Sequence, residues 1–169
     1  DQLLAGIEVQ LETDYLADKS AWDAKAHHII FTGPIDAYYD YQFGPLEYKT
    51  TRFEHKKLTD TDNYQGVPVM NYTDAEVAYT RIIEYKHFEF GQTDTTCITY
   101  EYPEPYVAKV TEPYYPVNDQ ANNAIFGQYK ALADAETHVY FGGRLAEYKY
   151  YDMHQIIERA FDLLDELNS

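Results

Sequence analysis

Three sets of residues in this chain have types and spacings that could do chemistry. At Gly142-Gly143-Arg144, paired glycines end a short apolar run, and Asp152 follows ahead of an amphipathic stretch. Glycine pairs let a backbone approach a ligand closely, and free N–H groups at a helix start favour an anionic or hydrogen-bond-accepting group. The same pattern also serves as a plain turn. Arg81 and Arg144 stand in uncharged or aromatic surroundings, which marks them as the cations to hold a small anion in so acidic a chain. Glu101 and Asp152 could in principle work as an acid/base pair, but with 29 acidic residues present such pairs arise by chance.

Other chemistries find little support. The eight glycines show neither G-x-G-x-x-G nor G-x-x-x-x-G-K spacing. The six histidines, at 27, 28, 55, 87, 138 and 154, form no metal-ligand spacing with each other or with Cys97, so no metal site is expected. The only serines are Ser20 and Ser169, which sets aside hydrolysis by an activated serine. Cys97 is the single cysteine, so no internal disulfide forms, and its place in Thr95-Thr-Cys-Ile-Thr-Tyr100 reads as a buried small strand hydrophobe rather than a nucleophile. A net charge of −16 repels phosphate backbones, so no nucleic-acid partner is expected. No apolar run reaches membrane-spanning length and no leader is seen, which makes no membrane and a cytoplasmic location the expectations. Nineteen tyrosines suit either a half-wet antiparallel sheet or a polar ligand cleft.

The elements that must position these groups fall into three blocks. Ile7, Val9 and Leu11 alternate as in a half-buried strand, Asp18 to Ala26 reads as a short amphipathic helix or turn, and His28 to Phe31 as a strand buried on both faces. From Glu47 to Tyr102 the texture becomes β-branched and aromatic. Val67 to Tyr72, Thr80 to Phe90 and Thr96 to Tyr102 read as consecutive antiparallel strands. Helical periodicity returns after Asn118 and Asp119 with Ile125, Phe126, Tyr129, Leu132 and Ala133, followed by a short strand from His138 to Phe141. Asp152 with Gln155 predicts a capping box, and Met153, Ile156, Ile157, Ala160, Leu163, Leu164 and Leu167 mark one apolar helix face. The order predicts an α/β fold, mixed α+β, in which an antiparallel sheet interrupts a nucleotide-binding domain: 1–46, then 47–115, then a return over 116–169.

Six strings occur in one order: Ile30-Phe-Thr-Gly-Pro-Ile-Asp36, Gly44-Pro-Leu-Glu-Tyr48, Asn71-Tyr-Thr-Asp74, Tyr79-Thr-Arg-Ile-Ile-Glu84, Glu112-Pro-Tyr-Tyr-Pro-Val-Asn-Asp119 and Phe141-Gly-Gly-Arg-Leu-Ala-Glu-Tyr148. In order and spacing they resemble the C-terminal portion of bacterial UDP-galactopyranose mutase, over essentially the whole chain. The resemblance implies the C-terminal part of an FAD-binding Rossmann-like domain interrupted by an antiparallel β-sheet substrate domain. It implies an isomerase that converts UDP-galactopyranose to UDP-galactofuranose through a flavin N5–sugar adduct, with reduced FAD as the active cofactor, UDP-galactose as substrate and a homodimeric full-length enzyme.

By the same resemblance Arg81, Tyr115 and Tyr150 would contact the UDP pyrophosphate, with Asn71 and Asp152 near the sugar and flavin. Arg144, Asp152 and Met153 would lie against the flavin, and Val9, Thr32 and Gly33 at the edge of the FAD site. Lys49 stands where the family often has Arg, which keeps the charge but loses the planar fork. Ala78 replaces a usual Pro. The family's Gly-rich FAD motif and helical lid are absent from these residues, so the polypeptide alone is expected to be inactive and to bind FAD weakly. The competing expectation is a non-catalytic, Tyr-rich module that binds a nucleotide sugar or carbohydrate.

Overall fold

The computed structural model describes residues 2–168. In chain order the elements are α1 (Lys19–Asp23), β1 (Ile29–Phe31), α2 (Ile35–Tyr38), β2 (Tyr48–Leu58), β3 (Val69–Asn71), β4 (Arg81–Glu84), β5 (Thr96–Pro105), β6 (Tyr115–Pro116), α3 (Gln120–Ala133), β7 (Val139–Phe141) and α4 (Met153–Leu167). Short 3-10 turns cover Tyr15–Asp18 and Tyr85–Phe88. The chain divides into two compact units: Asp1–Pro45 with Gln120–Ser169, and Leu46–Asp119. Together they form a mixed α and β architecture.

In the first unit β1 and β7 pair in parallel, Ile29 to Val139 through Phe31 to Phe141, and the Gly142 N–H extends the ladder to the Phe31 carbonyl at 3.1 Å. The core beneath them is aromatic: Phe31 and Tyr38 are buried, 4.9 Å apart at their centroids, with Tyr15, Tyr39 and Phe141 packed around them. Fully buried Tyr129 ties α3 to the 43–44 turn, accepting from Phe43 N–H at 3.0 Å and donating to the Gly44 carbonyl at 2.7 Å. α1 starts at an Asp18 cap, and α4 starts at the expected capping box, in which Gln155 Oε1 accepts from Asp152 N–H at 2.9 Å.

The second unit is a five-stranded sheet in the order β3-β4-β5-β2-β6, antiparallel at every pairing. Directly opposed residues of an antiparallel ladder share a face, so the register assigns every side chain to a side. One side carries Tyr48, Thr50, Ile82, Glu84, Thr96 and Ile98, all buried. Its outer part carries Tyr100 and Tyr102, with Tyr79 4.9 Å from Tyr100 and Tyr72 4.8 Å from Tyr79, under Arg52 and Lys56. The buried Glu84 carboxylate accepts from Tyr64 N–H, Gln65 N–H and the Thr96 hydroxyl at 2.9, 2.9 and 2.7 Å, and the His87 ring lies 3.1 Å away. Burial would raise its pKa, but these donors hold it down to about 2.

Several elements differ from the sequence expectation. The Ile7–Leu11 alternation forms no strand, and Ile7, Val9 and Leu11 are exposed, because no strand among the described residues pairs with it. β1 is covered on one side only, since Ile30 is 52% exposed, and Cys97, expected to be buried, is exposed because its register opposite Lys57 turns it to the open side of the sheet. The 80–90 alternation yields a strand only to Glu84. There the Pro68 carbonyl accepts from Glu84 N–H, and a proline has no N–H to carry the ladder on. β2, the longest strand, bears a charge at so many positions that composition hides it.

Candidate functional site

On the second unit the open side of the sheet gathers the sequence-selected polar residues. Asn71, Arg81, Glu101 and Phe53 form one cross-strand row over β3, β4, β5 and β2. Lys49 and Tyr115 pair directly across β2 and β6 on the same side. Arg81 reaches this face because β4 alternates, with Ile82 and Glu84 turned into the core. Its Nε–H donates to Asn71 Oδ1 at 3.0 Å, and its Nη1 lies 3.6 Å from Glu101 Oε2. Arg81 and Tyr115 stand three strand spacings apart across the sheet, about 14 Å, and four residues apart along it, about 13 Å, because Arg81 lies in the Phe53 row and Tyr115 in the Lys49 row. The open face also has an aromatic end. Phe53 lies parallel to His55, and His55 Nδ1 and the Tyr85 hydroxyl both sit against Thr99 Oγ1, at 2.6 and 2.8 Å.

On the first unit the Gly142-Gly143 turn borders an apolar pocket of about 210 Å³ lined by Ile30, Thr32, Ile156, Arg159, Ala160 and Leu163 as well as both glycines. Gly143 has φ +95°, in the region that disfavours side chains, and a Cβ on Gly142 would come within 3.1 Å of Leu163. Glu147 locks this turn to α4: it accepts from Arg159 Nε at 2.7 Å and from Gly143 N–H at 3.3 Å. Burial, with Glu147 next, pushes the Tyr151 hydroxyl up to about 12. Arg144 donates through Nε to the Tyr151 carbonyl at 2.8 Å, and its guanidinium lies 4.6 Å from the centre of the half-exposed Tyr150 ring.

Of the residues selected from sequence, the structure joins Asn71 with Arg81, Lys49 with Tyr115, and Arg144 with Tyr150. Thr32 lines the pocket, Gly33 adjoins it in sequence, and Asp152 and exposed Met153 open α4. Val9 is not on the pocket wall. Glu101 and Asp152 each already have structural work, Glu101 beside Arg81 and Asp152 at the helix cap. Sequence reading missed Glu147, Arg159 and the α4 residues Ile156, Ala160 and Leu163 as pocket-builders. The periodicity of α4 marks its apolar residues, but nothing local says that a ligand-sized gap opens beside them. No group of three metal-ligating side chains occurs among the described residues, and none of their helices is long and apolar enough to cross a membrane.

An antiparallel sheet unit that carries a fixed arginine, and a separate α and β unit that carries a glycine-turn pocket, define the class as a two-unit mixed α and β protein. Residues 2–150 match the family model for UDP-galactopyranose mutase. The chain is 36% identical over 163 residues to a probable UDP-galactopyranose mutase of Klebsiella pneumoniae, covering 96% of this chain and 41% of the relative. It is 41% identical over 135 residues to a dTDP-fucopyranose mutase of Escherichia coli, covering 80% and 36%. A UDP-galactopyranose mutase of Mycoplasma pneumoniae is 35% identical over 147 residues, covering 82% and 36%. The chain therefore belongs to the UDP-galactopyranose mutase family, and it spans well under half the length of these relatives.

Proposed function

We propose that this chain contributes the sheet and part of the cofactor unit of a flavin-dependent mutase that isomerises UDP-galactopyranose to UDP-galactofuranose. The observation that carries the reading is Arg81, oriented by Asn71 on the open sheet face, with Tyr115 on the same side. A guanidinium fixed at its Nε edge presents its remaining N–H groups to a diphosphate, and it offsets charge that grows as UDP leaves. Tyr115 would donate a phenol hydrogen bond to the same group and Lys49 would add a point charge, while the assignment of Tyr150 to it rests on the resemblance alone.

A flat, largely apolar ring system fits the first unit on two structural grounds. The pocket wall is mainly aliphatic, and a side chain at Gly142 would fill the approach to Leu163. Thr32, Gly33, Arg144, Asp152 and Met153 are the residues that would hold FAD, in what we read as part of a Rossmann-like domain. Bound there in reduced form, FAD would supply the nucleophile that displaces UDP from the sugar. Arg144 would give the cofactor side a fixed positive charge, because its own geometry is set by Tyr151 and Tyr150. Val9 lies apart from this wall, so its assignment to the cofactor edge rests on the resemblance alone.

The rival reading, a non-catalytic Tyr-lined module, loses its main motive. Tyr72, Tyr79, Tyr100 and Tyr102 pack on one another on the side of the sheet away from Arg81, with Arg52 and Lys56 over two of the rings. A homodimeric, cytoplasmic full-length enzyme acting on UDP-galactose remains part of the proposal. Because one relative is named for a dTDP-sugar, and a diphosphate clamp does not read the base, UDP and dTDP should compete for the Arg81 face. The test is a titration of the 169-residue chain with UDP, followed by NMR. Resonances of Arg81 and Tyr115 should move, and Arg81→Ala should weaken binding by about tenfold or more, the loss of a charge-assisted contact. Unmoved Arg81 resonances at millimolar UDP would remove the diphosphate assignment.

A further inference from the structure

We infer that Glu101 is a positioning residue that holds the Arg81 guanidinium in a ligand-ready orientation. The inference rests on the proposed diphosphate role of Arg81 for its purpose, but not for its geometry. Glu101 and Arg81 are directly opposed across β5 and β4, so the pair is built by backbone register rather than by chance side-chain reach. The Glu101 side chain is only 16% exposed, against 42% for Arg81, so the carboxylate sits on the protein side and the guanidinium on the solvent side. Neighbouring backbone fixes the strand at this point, where the Glu101 carbonyl accepts from Thr80 N–H at 2.9 Å.

The two partners use the guanidinium unequally. Asn71 takes the Nε–H in a direct hydrogen bond of 3.0 Å. Glu101 Oε2 stands 3.6 Å from Nη1, beyond direct hydrogen-bond distance, and so attracts the charge without saturating its donors. Arginine carries five N–H donors in a rigid plane, and with Asn71 on one edge and Glu101 on one Nη, the outer donors stay available. Clamping at two points removes the rotamer freedom that a long exposed side chain would otherwise lose on binding. A carboxylate near an anion site also repels the anion, so the two roles predict opposite signs. Positioning predicts weaker binding when Glu101 is removed. Simple repulsion predicts tighter binding.

The experiment uses the whole 169-residue chain with 15N-labelled arginine. Without ligand, Arg81 Nε–Hε should give a resolved, slowly exchanging signal that shifts and exchanges faster in Glu101→Ala, while amide signals of Ile82 and Tyr100 stay in place. UDP affinity should fall about five- to tenfold in Glu101→Ala. It should recover in part in Glu101→Asp, and should not fall further when Glu101→Ala is added to Arg81→Ala. An unchanged Arg81 signal in Glu101→Ala overturns the inference, as does unchanged or tighter UDP binding. If the signal responds as stated while UDP moves nothing in the unaltered chain, the positioning stands and the diphosphate reading of Arg81 fails.

Discussion

Three donors and the His87 ring converge on Glu84, using both carboxylate oxygens: Tyr64 N–H and Thr96 on Oε1, Gln65 N–H and His87 on Oε2. Glu84→Gln keeps the size but turns an amide NH2 toward donors, so it should destabilise the protein by about 2–4 kcal/mol in urea unfolding. The sign with pH follows from a folded pKa lowered to about 2 against an ordinary value near 4.3. The stabilisation is complete above the ordinary value and is lost as pH falls through about 2. The stability difference between wild type and Glu84→Gln should therefore narrow from pH 5 toward pH 2. None of this was legible in Ile82-Ile-Glu84, where Glu84 reads as an outward polar position. Two of its donors, Tyr64 and Gln65 N–H, come from a loop about 20 residues away, and the third, Thr96, from β5. Arg81 was legible because an arginine in an apolar string is conspicuous, whereas Asn71 and Glu101 became its partners only through the sheet register. Gly143→Ala should cost about 1–2 kcal/mol by thermal unfolding, because φ +95° disfavours any side chain there.

At the scale of elements, α4 was the most legible because its signals are internal to it: a cap, a period and a polar back. Asp152→Ala removes the cap and should cost about 1 kcal/mol, read as loss of helicity at the α4 start by amide exchange. Strands depend on partners that sequence does not display. Ile7 to Leu11 has the alternation but no neighbour among the described residues, and it stays exposed. β2 has neighbours on both sides, β5 and β6, so it forms despite its charges. Those charges are absorbed locally, with Arg52 Nε donating to Glu104 at 2.7 Å and resting 4.1 Å from the Tyr102 ring. The apolar face drawn on α4 also divides in the structure. Leu163 is buried, while Met153, Ile157 and Leu164 are exposed, as is Phe161, which that face did not include.

For the whole molecule, that exposed stripe meets a net charge of −16. Apolar surface favours association of copies, and like charge opposes it, so salt should decide the balance. Sedimentation should show more self-association at high than at low ionic strength, and Ile157→Glu with Phe161→Glu should abolish the difference. The ordering of α and β blocks was readable because texture changes along the chain. The open and covered sides of the sheet were not, because they depend on how ten β2–β5 pairs line up. That alignment runs without a break from Lys49–Pro105 to Leu58–Thr96. Losing or gaining one residue of β2 between Thr51 and Leu58 would turn over the stretch on one side of the change relative to the other, for instance sending Lys49 inward and Tyr48 and Thr50 into water. Length differences among natural versions of this sheet should therefore fall in the connections at 59–68 and 106–114, and the reading frame of the ladder should be inherited intact.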